Sequence, residues 1–122
     1  MGTQELDTRR VGAAKSQSLF REVNERIEDL ATRPSIFEDL RRSEQLDLAC
    51  ECASHECSEP VRMTVSDYES IRSDPNAFFV LPGHHIPGVE RIIRESDGFV
   101  VVAKLGGGEN VAERLDPRIR TR

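Results

Sequence analysis

All three cysteines of the chain fall within eight residues, Cys50-Glu51-Cys52-Ala53-Ser54-His55-Glu56-Cys57. Thiols gathered this closely can bind a metal, exchange as disulfides, or fill a core as small apolar groups. A structural zinc asks for four ligands at tetrahedral corners, thiolate sulfur at about 2.3 Å or imidazole nitrogen at about 2.0–2.1 Å. The cysteines supply three, and His55, His84 or His85 must supply the fourth. Cys50 and Cys52 share a face if their segment is extended, and the four residues before Cys57 are enough to carry it back towards them. His55 lies inside that loop, where ligation beside both neighbouring sulfurs demands a very tight chelate. His84 follows Pro82-Gly83, a rigid turn that can aim one imidazole at an adjoining strand, and it is favoured over His85 and His55. The expected metal set is Cys50, Cys52, Cys57 and His84, with zinc as the ion and an iron–sulfur cluster as the alternative.

Other uses of the same residues are weaker. Cys57 and His55 have the form of a nucleophile and its base, but Glu51, Glu56 and Glu59 would raise a thiol pKa where an active thiolate needs it lowered. A filled Cys3His set also leaves no open position for a catalytic water. Gly106-Gly107-Gly108 lacks the Lys-Ser/Thr that completes a phosphate loop. Catalysis is therefore not expected. A thiol-based redox sensor that releases zinc on oxidation stays open, because thiolate ligands are oxidisable.

These ligands need elements to hold them. Leu46, Leu48, Cys50 and Cys52 alternate with Asp47, Ala49, Glu51 and Ala53, the period of a half-buried strand, and Val61 and Met63 continue as a second. Thr64-Val65-Ser66-Asp67 has the form of a capping box opening a helix over Tyr68 and Ile71, closed by Asp74-Pro75-Asn76. Phe78-Phe79-Val80-Leu81 reads as a central strand, and Asp97-Gly98 as the turn of a hairpin between Val89–Ile93 and Phe99–Val102. A short helix over Glu109–Leu115 is expected to end at Asp116-Pro117.

Upstream, Phe20, Val23, Ile27 and Leu30 are spaced as one face of a helix starting near Lys15, with Ser16 or Ser18 as cap and Pro34 as stop. A second short helix is expected over 35–44. The four apolar residues must be covered, either by the protein's own body or by a protein partner or second copy. The expected organisation is α+β: a disordered arm over 1–14, a helical segment over 15–44, a zinc-stabilised antiparallel sheet with short helices over 45–116, and an Arg-rich tail over 117–122.

The 122 residues fit one domain, and with 37% hydrophobic residues and no Trp the apolar supply is thin, so a metal clip would add stability a small core lacks. No run approaches the roughly 18 apolar residues of a membrane helix. The start Met1-Gly2-Thr3-Gln4-Glu5 lacks a signal peptide's charged and apolar regions, so a cytoplasmic location is expected. A net charge of -5 argues against general nucleic-acid binding. A nucleic-acid-associated factor using Arg114, Arg118, Arg120 and Arg122 is the rival to a non-catalytic binding or regulatory module.

The order of motifs resembles a group of small, uncharacterised actinobacterial proteins. The resemblance rests on Phe20-Arg21-Glu22-Val23-Asn24-Glu25-Arg26-Ile27, the Cys50-X-Cys52 pair with Cys57, Leu81-Pro82-Gly83-His84, Val89-Glu90-Arg91 and the Phe99–Lys104 strand, and spans about residues 15–117. It implies that the cysteines and the Pro-Gly-His element act together, with His84 as fourth ligand, and it brings no activity. The Cys-X-Cys start is also similar to that of CDGSH-type iron–sulfur proteins, but the close Cys and His of their motif are absent.

Overall fold

The computed structural model describes residues 3–32, 44–52, 54, 56–57 and 59–120. Nothing between Thr3 and Thr32 breaks a helix: the stretch has no proline, and its one glycine, Gly12, is exposed. Helix α1 accordingly runs the whole way, Thr3–Thr32, over 30 residues. Residues 3–14, expected as a disordered arm, are its first turns. They are ordered by partners far along the chain: Arg10 Nε donates to the Gly88 carbonyl at 2.7 Å, and Asp7 accepts from the Gly107 amide at 2.7 Å. The glycine triplet admits this approach, since a Cβ at Gly108 would stand 2.8 Å from the Arg10 carbonyl oxygen.

Helix α1 turns a mostly polar face, and not the whole of its apolar stripe, to the body. Ser18, proposed as a cap, is mid-helix and buried. The buried face carries Ala14, Gln17, Ser18, Arg21 and Asn24, whereas Leu19, Val23 and Leu30 are 65%, 50% and 60% exposed. Phe20 is half-buried, and Ile27 is half-buried against the core. The polar face wins because the body offers it acceptors. Arg21 donates to the carbonyls of Pro75 and Ala112, both at 2.7 Å, and its guanidinium lies 4.6 Å from the Phe78 ring centre. A buried polar group costs little once it is hydrogen-bonded. The helix expected over 35–44 falls, but for Glu44, outside the described residues.

Strands β1 (Gln45–Ala49) and β2 (Pro60–Thr64) pair antiparallel, Leu46 opposite Met63 and Leu48 opposite Val61, with these four side chains buried. Thr64 caps the expected helix: its Oγ1 accepts from the Asp67 amide at 3.0 Å and opens helix α2 (Val65–Arg72), which buries Tyr68 and Ile71. A second antiparallel sheet is ordered β3-β5-β4, from β3 (Ala77–Val80), β4 (Glu90–Ser96) and β5 (Phe99–Lys104). The hairpin turns at Asp97-Gly98, with Gly98 at φ 89 and Ser96 paired to Phe99.

One position in this sheet differs from the reading. The Phe78–Val80 segment is fully buried but lies at the sheet's edge, and β5 is central. The edge is covered by the chain just past β1, where the Glu51 amide donates to the Phe79 carbonyl at 3.0 Å. Helix α3 (Gly107–Arg114) and the single turn α4 (Pro117–Arg120) close the chain. The architecture is α+β, with one apolar core shared by both sheets, α2 and Ala112 of α3.

Candidate metal centre

Two turns and one strand end bring the ligands together. Strand β1 ends at Ala49, short of the expected strand through Cys52; the chain then bonds to β3 through the Glu51 amide, and Cys50 and Cys52 are buried along with Leu46 and Leu48. Cys57 is returned by a turn in which its amide donates to the Ser54 carbonyl at 3.3 Å. His84 closes the turn Leu81-Pro82-Gly83-His84: its amide donates to the Leu81 carbonyl at 2.9 Å, and Gly83 takes φ 86, as the third residue of a type II turn must.

The four ligand atoms of Cys50, Cys52, Cys57 and His84 all lie within 4.8 Å of one another. His84 Nδ1 is 3.7 Å from Cys50 Sγ and 3.5 Å from Cys57 Sγ. A tetrahedral zinc with its ordinary bond lengths would set a sulfur–nitrogen edge of about 3.6 Å. Both distances match that edge, so the residues fit one ion. Cys50 and Cys52 are buried, Cys57 and His84 half-buried, and a cleft lined by Cys52, Ser54, Gly83, His84 and Ile86 opens the centre to one side.

Burial pushes the Cys50 and Cys52 thiols up from their ordinary pKa. The Leu81 amide, donating to Cys50 Sγ at 3.2 Å, works against this shift. Thiols held this way are poor nucleophiles by themselves, while a bound cation favours their ionised form.

His85, the near alternative, lies outside the cluster, its ring Nδ1 buried without a partner among the described residues. His55 is itself outside the described residues. In the Arg-rich tail, Arg118 is paired with Glu25, Glu28 and Glu69.

Sequence pattern missed the residue between the two cysteines. Alternation places Glu51 on a solvent side, yet it is fully buried. Its carboxylate accepts from Asn24 Nδ2 at 2.9 Å, Arg72 Nη2 at 3.0 Å and the Phe79 amide at 3.2 Å, and its own carbonyl accepts from Gln17 Nε2 at 2.7 Å. Asn24 grips the preceding residue too, accepting from the Ala49 amide at 2.8 Å and donating to the Ala49 carbonyl at 2.9 Å. A buried carboxylate needs such donors, and the polar 4-3 spacing of Gln17, Arg21 and Asn24 was the available signal.

Among the described residues no helix is long and apolar enough to cross a membrane. No family model matches the chain, and neither do any curated protein or solved structure.

Proposed function

We propose that the chain is a non-catalytic binding module whose small body is knitted together by one zinc ion on Cys50, Cys52, Cys57 and His84. The observation that carries this reading is the convergence of three sulfurs and one imidazole nitrogen within 4.8 Å. Ligand atoms so close enclose a single ion, which favours zinc over a cluster that places several irons and sulfides between its ligands. Zinc would supply a fixed crosslink between the β1–β2 hairpin and the turn after β3, and no open ligand position for chemistry. Reduced, metal-ready cysteines suit a cytoplasmic setting, and the resemblance to small actinobacterial proteins with the same motif order belongs to this reading.

The binding face is the exposed side of α1, where Leu19, Val23 and Leu30 stand in the open beside Ile27. Its partner is another protein or a second copy. Arg118, engaged by three glutamates, favours this over nucleic acid.

Elemental analysis of reduced protein purified without added metal tests the centre. One equivalent of zinc per chain is expected. A value well below one overturns the reading, and a brown protein containing iron and sulfide replaces zinc with a cluster. Zinc lost in step with thiol oxidation by peroxide, together with a changed partner set, would favour the redox-sensor reading.

A further inference from the structure

Two ligands of the centre flank a residue that is bonded at every polar group it has. The Glu51 amide is used by Phe79, its carbonyl by Gln17, and its carboxylate by Asn24, Arg72 and the Phe79 amide. The ion pair with Arg72 has side-chain exposures of 1% and 0%, so water does not loosen it. Residues 50 and 52 cannot turn about the backbone without breaking one of these bonds. Asn24 holds Ala49 at both its amide and its carbonyl, fixing the approach to Cys50. Gln17 and Asn24 both belong to α1, which gives the centre no ligand.

We infer that Glu51 is the positioning residue of the metal centre and that, through its bonds to Gln17 and Asn24, metal binding and the docking of helix α1 are one linked equilibrium. This inference rests on the zinc reading above. The physical basis is preorganisation: ligands held in place by a rigid outer layer bind more tightly, and removing such a support typically costs about 10–100-fold in metal affinity. Linkage is reciprocal, so whatever factor α1 docking contributes to metal affinity, metal must contribute to α1 docking. The face of α1 opposite the network is the apolar one, so loss of metal would loosen the element that carries the binding surface.

The test uses the full chain with zinc or cobalt(II) as the probe. Glu51→Gln keeps the shape and removes the charge. It should weaken zinc about 10–100-fold in competition with a chromophoric chelator and shift the visible bands of the cobalt-substituted centre. Val65→Ala, at the buried start of α2 and outside both the ligand set and the bonds to α1, is the control; it should lower stability and leave the cobalt spectrum unchanged. Hydrogen exchange on the wild-type chain gives a second reading that needs no variant: removing metal should raise exchange in residues 17–24 of α1 and at Ala49 and Glu51. If the wild type binds neither ion, the zinc reading fails. If it binds one ion and Glu51→Gln matches its affinity and spectrum, the positioning role is overturned. Unchanged α1 exchange on chelation overturns the linkage, including where Glu51→Gln does not fold.

Discussion

His84 and His85 are adjacent in sequence, yet only His84 reaches the sulfurs, because the Pro82-Gly83 turn fixes which ring points inward. His84→Ala should therefore lower zinc affinity by at least about 100-fold, while His85→Ala leaves one equivalent bound. Equal zinc content and chelator resistance in both variants would contradict the ligand set. Glu28 offers a separate prediction with a definite sign. Its carboxyl is pushed up from 4.5 to about 8, chiefly by burial and then by its hydrogen bond to Glu69 and that residue's charge, with Arg118 pulling the other way. A carboxyl whose pKa is higher when folded holds its proton more tightly in the folded state. Its contribution is complete below about pH 4.5 and drains away as pH rises through about 8. Glu28→Gln has no proton to lose. Urea midpoints measured from about pH 5 to 9 should fall less with rising pH in the variant than in the wild type, and parallel curves would refute this assignment.

Helix α1 has two faces with opposite expected responses. Leu19→Glu, Val23→Glu and Leu30→Glu change exposed positions and should move stability by no more than about 0.5 kcal/mol. The same changes should abolish self-association or partner capture, read by sedimentation and by affinity isolation with the wild type alongside; retained binding in all three would remove that face from the proposal. Arg21→Ala should instead cost about 2–4 kcal/mol, because the buried carbonyls of Pro75 and Ala112 lose their donor. Thr64→Ala, which deletes the cap of α2, should cost about 1 kcal/mol in chemical denaturation. These elements also mark what the sequence could tell. The Cys-X-Cys alternation, the Thr64 cap and the Asp97-Gly98 turn are local, so residue type and spacing were enough to read them. The docking of α1 is not local. Pattern reading assigns buried faces to apolar residues, and here an apolar stripe at Leu19, Val23 and Leu30 competes with a polar one at Gln17, Arg21 and Asn24. Only the carbonyls and carboxylates offered by residues 49, 51, 75, 90 and 112 decide for the polar stripe. Glu51 was hidden for the same reason: its partners come from three separate elements.

Taken as one body, the molecule has a core thin in aromatics and a buried set of charges that includes Arg21, Glu51, Arg72, Glu90, Lys104 and Asp116. Lys104 Nζ donates to Gln17 and Glu90, and Glu90 also accepts from the Ile86 amide at 3.0 Å, so this set joins α1 to both strands of the second hairpin. Buried ion pairs add little net stability once their desolvation is counted, so on the proposed zinc reading the ion would carry an outsized share. Stripping zinc with a chelator should lower Tm by at least about 10 °C, as for losing 2–3 kcal/mol from a domain of this size. A Tm unchanged by chelation in calorimetry would show that the body stands without the ion. The contacts of α1 also set an order of events. Asp7 meets Gly107 across 100 residues, Arg10 meets Gly88 across 78, and Arg21 meets Ala112 across 91. Helix α1 is thus among the last elements to find its place, since these partners lie 78 to 100 residues further along the chain. Closing such long loops is slow, and the hairpins can form without them. Alanine at Asp7 or Arg21 should then quicken unfolding far more than it slows refolding in stopped-flow measurements. A nascent chain halted before Gly107 would carry its helix loose and its apolar stripe ready for chaperones.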